Sequence, residues 1–157
     1  MSFQQTLNRD LPLGVEGDFA STNPYHSVLA GEGALTAGEA SVTVGRFAWA
    51  DPETGMVSNK KIEGGVIGFV RREQTAIIVE YLAESSLKVP KGFGVTLYDG
   101  GDFWARFEEG ATIGQSVFAS DTDGTVQAAD SAPAGHTDTG FKVASNAAVG
   151  NLAKITK

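Results

Sequence analysis

The chain has 157 residues, a formal charge of -7 and a pI near 4.7, with 41% hydrophobic residues and no cysteine. That length suits one domain with a single sizeable core, and the acidity excludes a surface built for nucleic acid or an anionic membrane, since both need clustered Lys and Arg to displace counterions. Without cysteine there are neither disulfides nor thiolate metal sites, which fits synthesis in a reducing cytosol.

Residues 1–24 are the least patterned part of the chain. Pro12, Gly14, Gly17 and Asn23-Pro24 break it, and apolar residues are scattered at Phe3, Leu7, Leu11, Leu13, Val15 and Phe19. An extended N-terminal arm that docks along a neighbour is the reading taken, against a terminus with only a little local packing. The start has no basic region followed by an apolar run, and no eighteen-residue apolar stretch occurs anywhere, so neither a signal peptide nor a membrane span is expected. Residues 25–35 fit a helical turn or a strand equally.

From Gly38 the pattern sharpens. In Ser41–Ala50 the residues Val42, Val44, Phe47 and Trp49 suggest an alternating strand with a bulge at Gly45. Asp51-Pro52-Glu53-Thr54-Gly55 is a turn, Pro setting φ and Gly closing the loop, before Met56–Ser58 returns. Val66–Val70 is a strand, and the β-branched run Thr75–Leu82 is read as another in preference to a helix. Ser85–Lys91 forms a loop.

Gly92–Gly124 reads as a β-meander. Val95, Leu97, Phe103 and Phe107 alternate, and Asp99-Gly100-Gly101-Asp102 supplies residues that tolerate positive φ in a tight hairpin. Glu109-Gly110 and Asp121-Thr122-Asp123-Gly124 punctuate the later segments. Thr125–Ala129 is a short strand, residues 130–138 form the longest loop, and Phe141–Ala144 and Gly150–Thr156 close the fold. Gly92, Gly114 and Gly140 each precede a Val by three positions, at intervals too unequal for a solenoid. Short strands between glycine-rich turns imply an all-β protein: a single β-sandwich, jelly-roll-like domain over residues 25–157 behind the arm.

The residues that could carry chemistry do not assemble into a motif. His26 and His136 stand alone, as surface histidines do. Asp121-Thr122-Asp123-Gly124 opens like a calcium loop but lacks the later oxygen ligands and the closing Glu. Asp102, Glu108 and Glu109 invite a carboxylate-pair reading for glycoside hydrolysis, yet a turn acid and two solvated carboxylates is the plainer one. The dinucleotide, phosphate-loop and nucleophile-elbow signatures are missing. Lys60-Lys61 and Arg71-Arg72 are too short for a nucleic-acid footprint. Trp49 and Trp104 could stack on a sugar but fit core packing better. Acids without any Lys or Arg fill Phe107–Phe141, a solvated face or an acidic edge for a basic neighbour.

Several runs carry a resemblance. Asn23-Pro24-Tyr25 with Ala30-Gly31, the segment from Gly38 ending in Val44-Gly45-Arg46-Phe47-Ala48-Trp49, Gly68-Phe69-Val70-Arg71-Arg72, Gly100-Gly101-Asp102-Phe103-Trp104-Ala105 and Gly114-Gln115-Ser116-Val117-Phe118-Ala119 resemble, in that order, the structural cement (capsid decoration) proteins of tailed bacteriophages. The likeness runs from about Gly14 to Lys154. It implies a small sandwich made in the host cytoplasm that assembles as a homodimer or homotrimer on the outer capsid surface of the virion. The resemblance further implies that it clamps neighbouring major capsid protein subunits there, without catalysis or cofactor. The interface residues expected on this reading are the arm anchors Phe3, Leu7 and Leu13, with Arg46, Arg71 and Arg72 as polar contacts. The alternative of another class is a carbohydrate-binding or adhesive sandwich on a virion.

Overall fold

The computed structural model describes residues 14–73 and 87–157. Thirteen strands occur there, in chain order β1 (His26–Ser27), β2 (Thr36–Ala37), β3 (Val42–Thr43), β4 (Phe47–Ala50), β5 (Met56–Ser58), β6 (Val66–Val70), β7 (Lys88–Val89), β8 (Leu97–Gly100), β9 (Asp102–Phe107), β10 (Ser116–Ser120), β11 (Val126–Ala129), β12 (His136–Val143) and β13 (Asn151–Thr156). They form a six-stranded sheet in the order β1-β8-β6-β4-β5-β2, a five-stranded sheet in the order β11-β10-β12-β13-β9, and the small β3-β7 pair. Every pairing is antiparallel except the short parallel contact of β2 with β5. The all-β sandwich expected from the sequence is thus the fold found. No helix occurs among the described residues, so Tyr25–Leu35 resolves to the short β1 and a loop that leads to β2.

Strand alternation builds two cores from one sheet. On β4, Phe47 and Trp49 point toward the five-stranded sheet and join Phe69, Phe103, Phe107, Phe141 and Ile155. Ala48 and Ala50 point the other way, into a second cluster with Val42, Val44, Val57, Val70, Val89 and Leu97. A strand covered on both faces must be apolar at every position, and FAWA is. The β3-β7 pair and the chain near Leu35 and Val95 form the outer cover of that second core. Aromatic side chains dominate the inner core: Phe103 packs 5.0 Å from Phe69 and 5.4 Å from Tyr98 between ring centroids, both pairs tilted and within the range over which aromatic rings attract.

Three sequence expectations change here. The segment 92–124 is not one meander: β8 pairs with β6 and β1 in one sheet, whereas β9 pairs with β13 in the other. Asp99–Asp102 is therefore the crossover between sheets and not a hairpin. Its single linking residue, Gly101, has φ +126°, where a Cβ would sit 2.8 Å from Tyr25 Cβ. Only β10 and β11 form the expected hairpin, closed by the Asp121–Gly124 turn. The break at Gly45 is also deeper than a bulge, since β3 and β4 belong to different sheets. A true bulge lies at Gly140 inside β12, where the register against β10 shifts between Ser116 and Phe118. The Asp51 turn is as expected, with its carboxylate accepting from Glu53 N–H (2.9 Å) and Thr54 Oγ1 (2.7 Å). The strand expected over Thr75–Leu82 lies outside the described residues.

Candidate functional site

The polar side chains of this domain chiefly tie its own elements together. The N-terminal segment shows this first. Within the span 1–24, residues 14–24 are described, and they run along β9: Gly17 N–H donates to Trp104 O (2.8 Å), Trp104 N–H to Asp18 O (2.9 Å) and Ala20 N–H to Asp102 O (2.9 Å). Phe19 then enters the aromatic core, stacked 5.4 Å from Phe103. Asp102, at the start of β9, accepts from Ser21 Oγ (2.6 Å) and Asn23 Nδ2 (2.7 Å). Partial burial pushes the Asp102 carboxyl up, but bonds from Ser21, Thr156 and Asn23 and the charge of Lys154 outweigh it and hold the group below its usual value.

A second junction joins the two sheets through the β10–β11 turn. Phe47 N–H at the head of β4 donates to Gly124 O (2.9 Å), and Lys61 N–H donates to Asp121 O (2.9 Å). Lys61 Nζ lies 3.2 Å from Asp121 and Arg46 Nη1 lies 3.3 Å from Asp123. The Thr137 hydroxyl, donating at 2.6 Å, does most to hold Asp121 below its ordinary value. At Asp123 partial burial works upward, yet donation from Thr125 and Ser120 and the Arg46 charge leave the carboxyl lowered. Sequence reasoning missed this junction. Its signal was two aspartates in one turn of a run empty of cations, with Lys61 and Arg46 sixty and seventy-seven positions from their partners.

The residues singled out from the sequence fall as follows. Phe3, Leu7 and Leu13 lie outside the described residues. Arg46 is engaged with Asp123. Arg71 stacks on the Phe19 ring at 4.1 Å and lies 3.8 Å from Glu73. Arg72 is exposed, while its N–H donates to Gly17 O (2.8 Å). The three arginines come to one end of the six-stranded sheet, because Gly45 N–H and Val70 O pair there (2.9 Å), as do Val70 N–H and Arg46 O (2.9 Å). His26 is exposed with its ring Nδ1 on the Asp99 carboxylate, and His136 sits at the start of β12 and not in a loop. Asp102 and the pair Glu108, Glu109 are separated by the whole of β9, too far apart to act on one bond. Among the described residues, no group of three or more His, Cys, Asp or Glu could hold a metal ion.

The tryptophans also part company. Trp49 is 2% exposed and is a core residue. Trp104 faces outward on β9, half-buried, and Gly14 lies against its indole: a Cβ at residue 14 would fall 2.1 Å from Nε1. Lys154 Nζ stands 5.3 Å from the same ring. A sugar therefore finds no open tryptophan face on Trp49 and a contested one on Trp104.

The ion pairs and turn acids of this β-sandwich lock its own layers together. A family model described as XM1 gp53 minor capsid protein matches residues 3–157, and the chain belongs to that family. Among solved structures, a chain from the capsid of Myoviridae phage XM1 is similar, with a TM-score of 0.60 at 14% identity over 99% of this chain and 97% of that one. At that identity the likeness concerns the fold. No curated protein matches the chain. The protein is thus a structural component of a bacteriophage capsid and of the virion, in agreement with the resemblance read from its sequence.

Proposed function

We propose that the protein is a capsid cement: it binds the outer surface of the mature head and clamps neighbouring major capsid protein subunits, without catalysis, as a homodimer or homotrimer. The observation that carries this reading is the minor-capsid family match, which spans both the N-terminal segment and the sandwich. A body already locked by its own hydrogen bonds and ion pairs gives up little entropy on docking, so its contacts add directly to lattice stability. A protein that binds only the expanded lattice stabilises it by mass action, and several weak contacts per oligomer multiply through effective concentration. In this scheme the arm expected over residues 1–24 reaches a neighbouring subunit through Phe3, Leu7 and Leu13, while its residues 14–24 lie along β9 and anchor it to the sandwich. Arg72 leads the polar contacts, because Arg46 and Arg71 are already committed to Asp123 and Phe19.

The test is co-sedimentation of the protein with expanded empty capsids, alongside a version lacking residues 1–13. The deletion stops there because Gly17 to Phe19 belong to the packed body. The full chain is expected to pellet as an oligomer and the shortened chain to stay in the supernatant with its unfolding temperature unchanged. A full chain that ignores capsids sinks the cement reading. Equal pelleting of both forms removes the arm from it.

A further inference from the structure

Two loops at one end of the five-stranded sheet carry apolar side chains that the fold does not use. Residues 108–115 join β9 to β10 and residues 144–150 join β12 to β13, and the two are laced together. Ala111 N–H donates to Ala147 O and Ala147 N–H to Ala111 O, both at 2.9 Å. Ile113 N–H donates to Asn146 Oδ1 (2.9 Å), Thr112 N–H to Gln115 Oε1 (2.9 Å), and the N–H groups of Gly110 (3.3 Å) and Gly150 (2.9 Å) converge on Phe107 O. Glycine, Asn146 and Gln115 thus supply the turn chemistry. The side chains of Ile113 and Val149 supply none of it, and the two residues are 60% and 75% exposed. The residues around these two side chains, 110–115 and 144–151, carry no charge, and the nearest charges lie at the foot of the loops: Glu108 and Glu109 open the first, and Arg106 Nη1 donates to Gly150 O (2.6 Å) at the end of the second.

We propose that this tip is a docking knob that seats Ile113 and Val149 in an uncharged, apolar depression on the capsid shell, a reading that rests on the cement function. Interface centres are depleted of charge and enriched in apolar side chains, as the tip is against the rest of this surface. Its loops are already held by cross-loop hydrogen bonds, so little ordering opposes binding. The two side chains offer only roughly 200 Å², well short of the about 800 Å² per partner that a stable dimer buries. On its own the tip is therefore too small to hold a dimer together. It is one contact among several on a lattice that presents the same depression many times, which is the arrangement in which a small contact gains from multivalency.

The experiment uses the full chain and titrates it onto expanded empty capsids that lack the protein, with the double variant Ile113→Ser, Val149→Ser and the control Leu29→Ser, whose side chain is exposed elsewhere. Light scattering follows oligomeric state and thermal unfolding follows folding. The double variant is expected to need about tenfold more protein for half-saturation. That ratio should hold between about 0.05 and 0.5 M salt, because the two side chains exchanged carry no charge. Oligomer mass should be unchanged, and the unfolding temperature should stay within about 2 °C. Capsid binding of the double variant equal to wild type overturns the knob and leaves the cement reading standing. So does a fall in oligomer mass with capsid binding intact, or an equal loss from Leu29→Ser. A wild-type chain that never binds capsids overturns both readings together.

Discussion

Replacing Gly124 by Ala tests the junction between the sheets. Gly124 adopts φ +69°, and a Cβ there would fall 1.9 Å from the Phe47 carbonyl oxygen, a backbone atom that cannot swing aside. The left-handed conformation alone costs an alanine about 1–2 kcal/mol. Relieving the overlap requires the turn to move off β4, which breaks the Phe47 N–H bond to Gly124 O and leaves buried backbone groups unpaired, a further ~1–3 kcal/mol. Gly64 is the control: its φ is +70° and nothing lies within 4 Å of the position a Cβ would take. Gly64→Ala should therefore cost only the first amount. Urea titration with fluorescence should give a loss of about 3 kcal/mol or more for Gly124→Ala, and the thermal midpoint should fall by roughly 10 °C, using about 2–4 °C per kcal/mol at this size. Equal losses for the two variants would refute the argument, because they would mean that the turn does not bear on β4.

The two tryptophans should separate in the same assay. Trp49→Ala empties a fully buried site and should cost ~3–5 kcal/mol, whereas Trp104→Ala, on the half-buried outer face, should cost about 2 kcal/mol or less. Acid should loosen the inter-sheet junction. Asp121 and Asp123 are both held below the ordinary value of 3.8, so their contribution is complete above about pH 4 and is lost as pH falls through their lowered folded values. The double variant Asp121→Asn, Asp123→Asn should lower the thermal midpoint at pH 7 and flatten its decline below pH 4. An unchanged acid limb in that variant would show that other carboxylates govern it.

Much of this protein could be read from local chemistry. Alternation in Phe47–Ala50 and Phe103–Phe107, the Asp51 turn and the Asp121–Gly124 hairpin all depend on residues within a few positions of one another, and those elements stand where periodicity put them. The family was also legible, because glycine and aromatic residues recur in order along most of the chain. What local chemistry could not supply was the partner of each strand. Asp99-Gly100-Gly101-Asp102 accommodates positive φ whether the chain folds back on itself or crosses to a second sheet, and only the distant β6 and β13, competing for β8 and β9, decide between those outcomes. The same holds for the ion pairs of Lys61 and Arg46 and for the docking of Phe19 against Phe103, which join residues sixty or more positions apart. Sequence by itself determined which short segments extend and where they turn, because φ preference and alternation act between neighbours. Tertiary structure alone decided which sheet each strand joined and which charges met, because burial is shared among elements that meet only when the whole chain has folded.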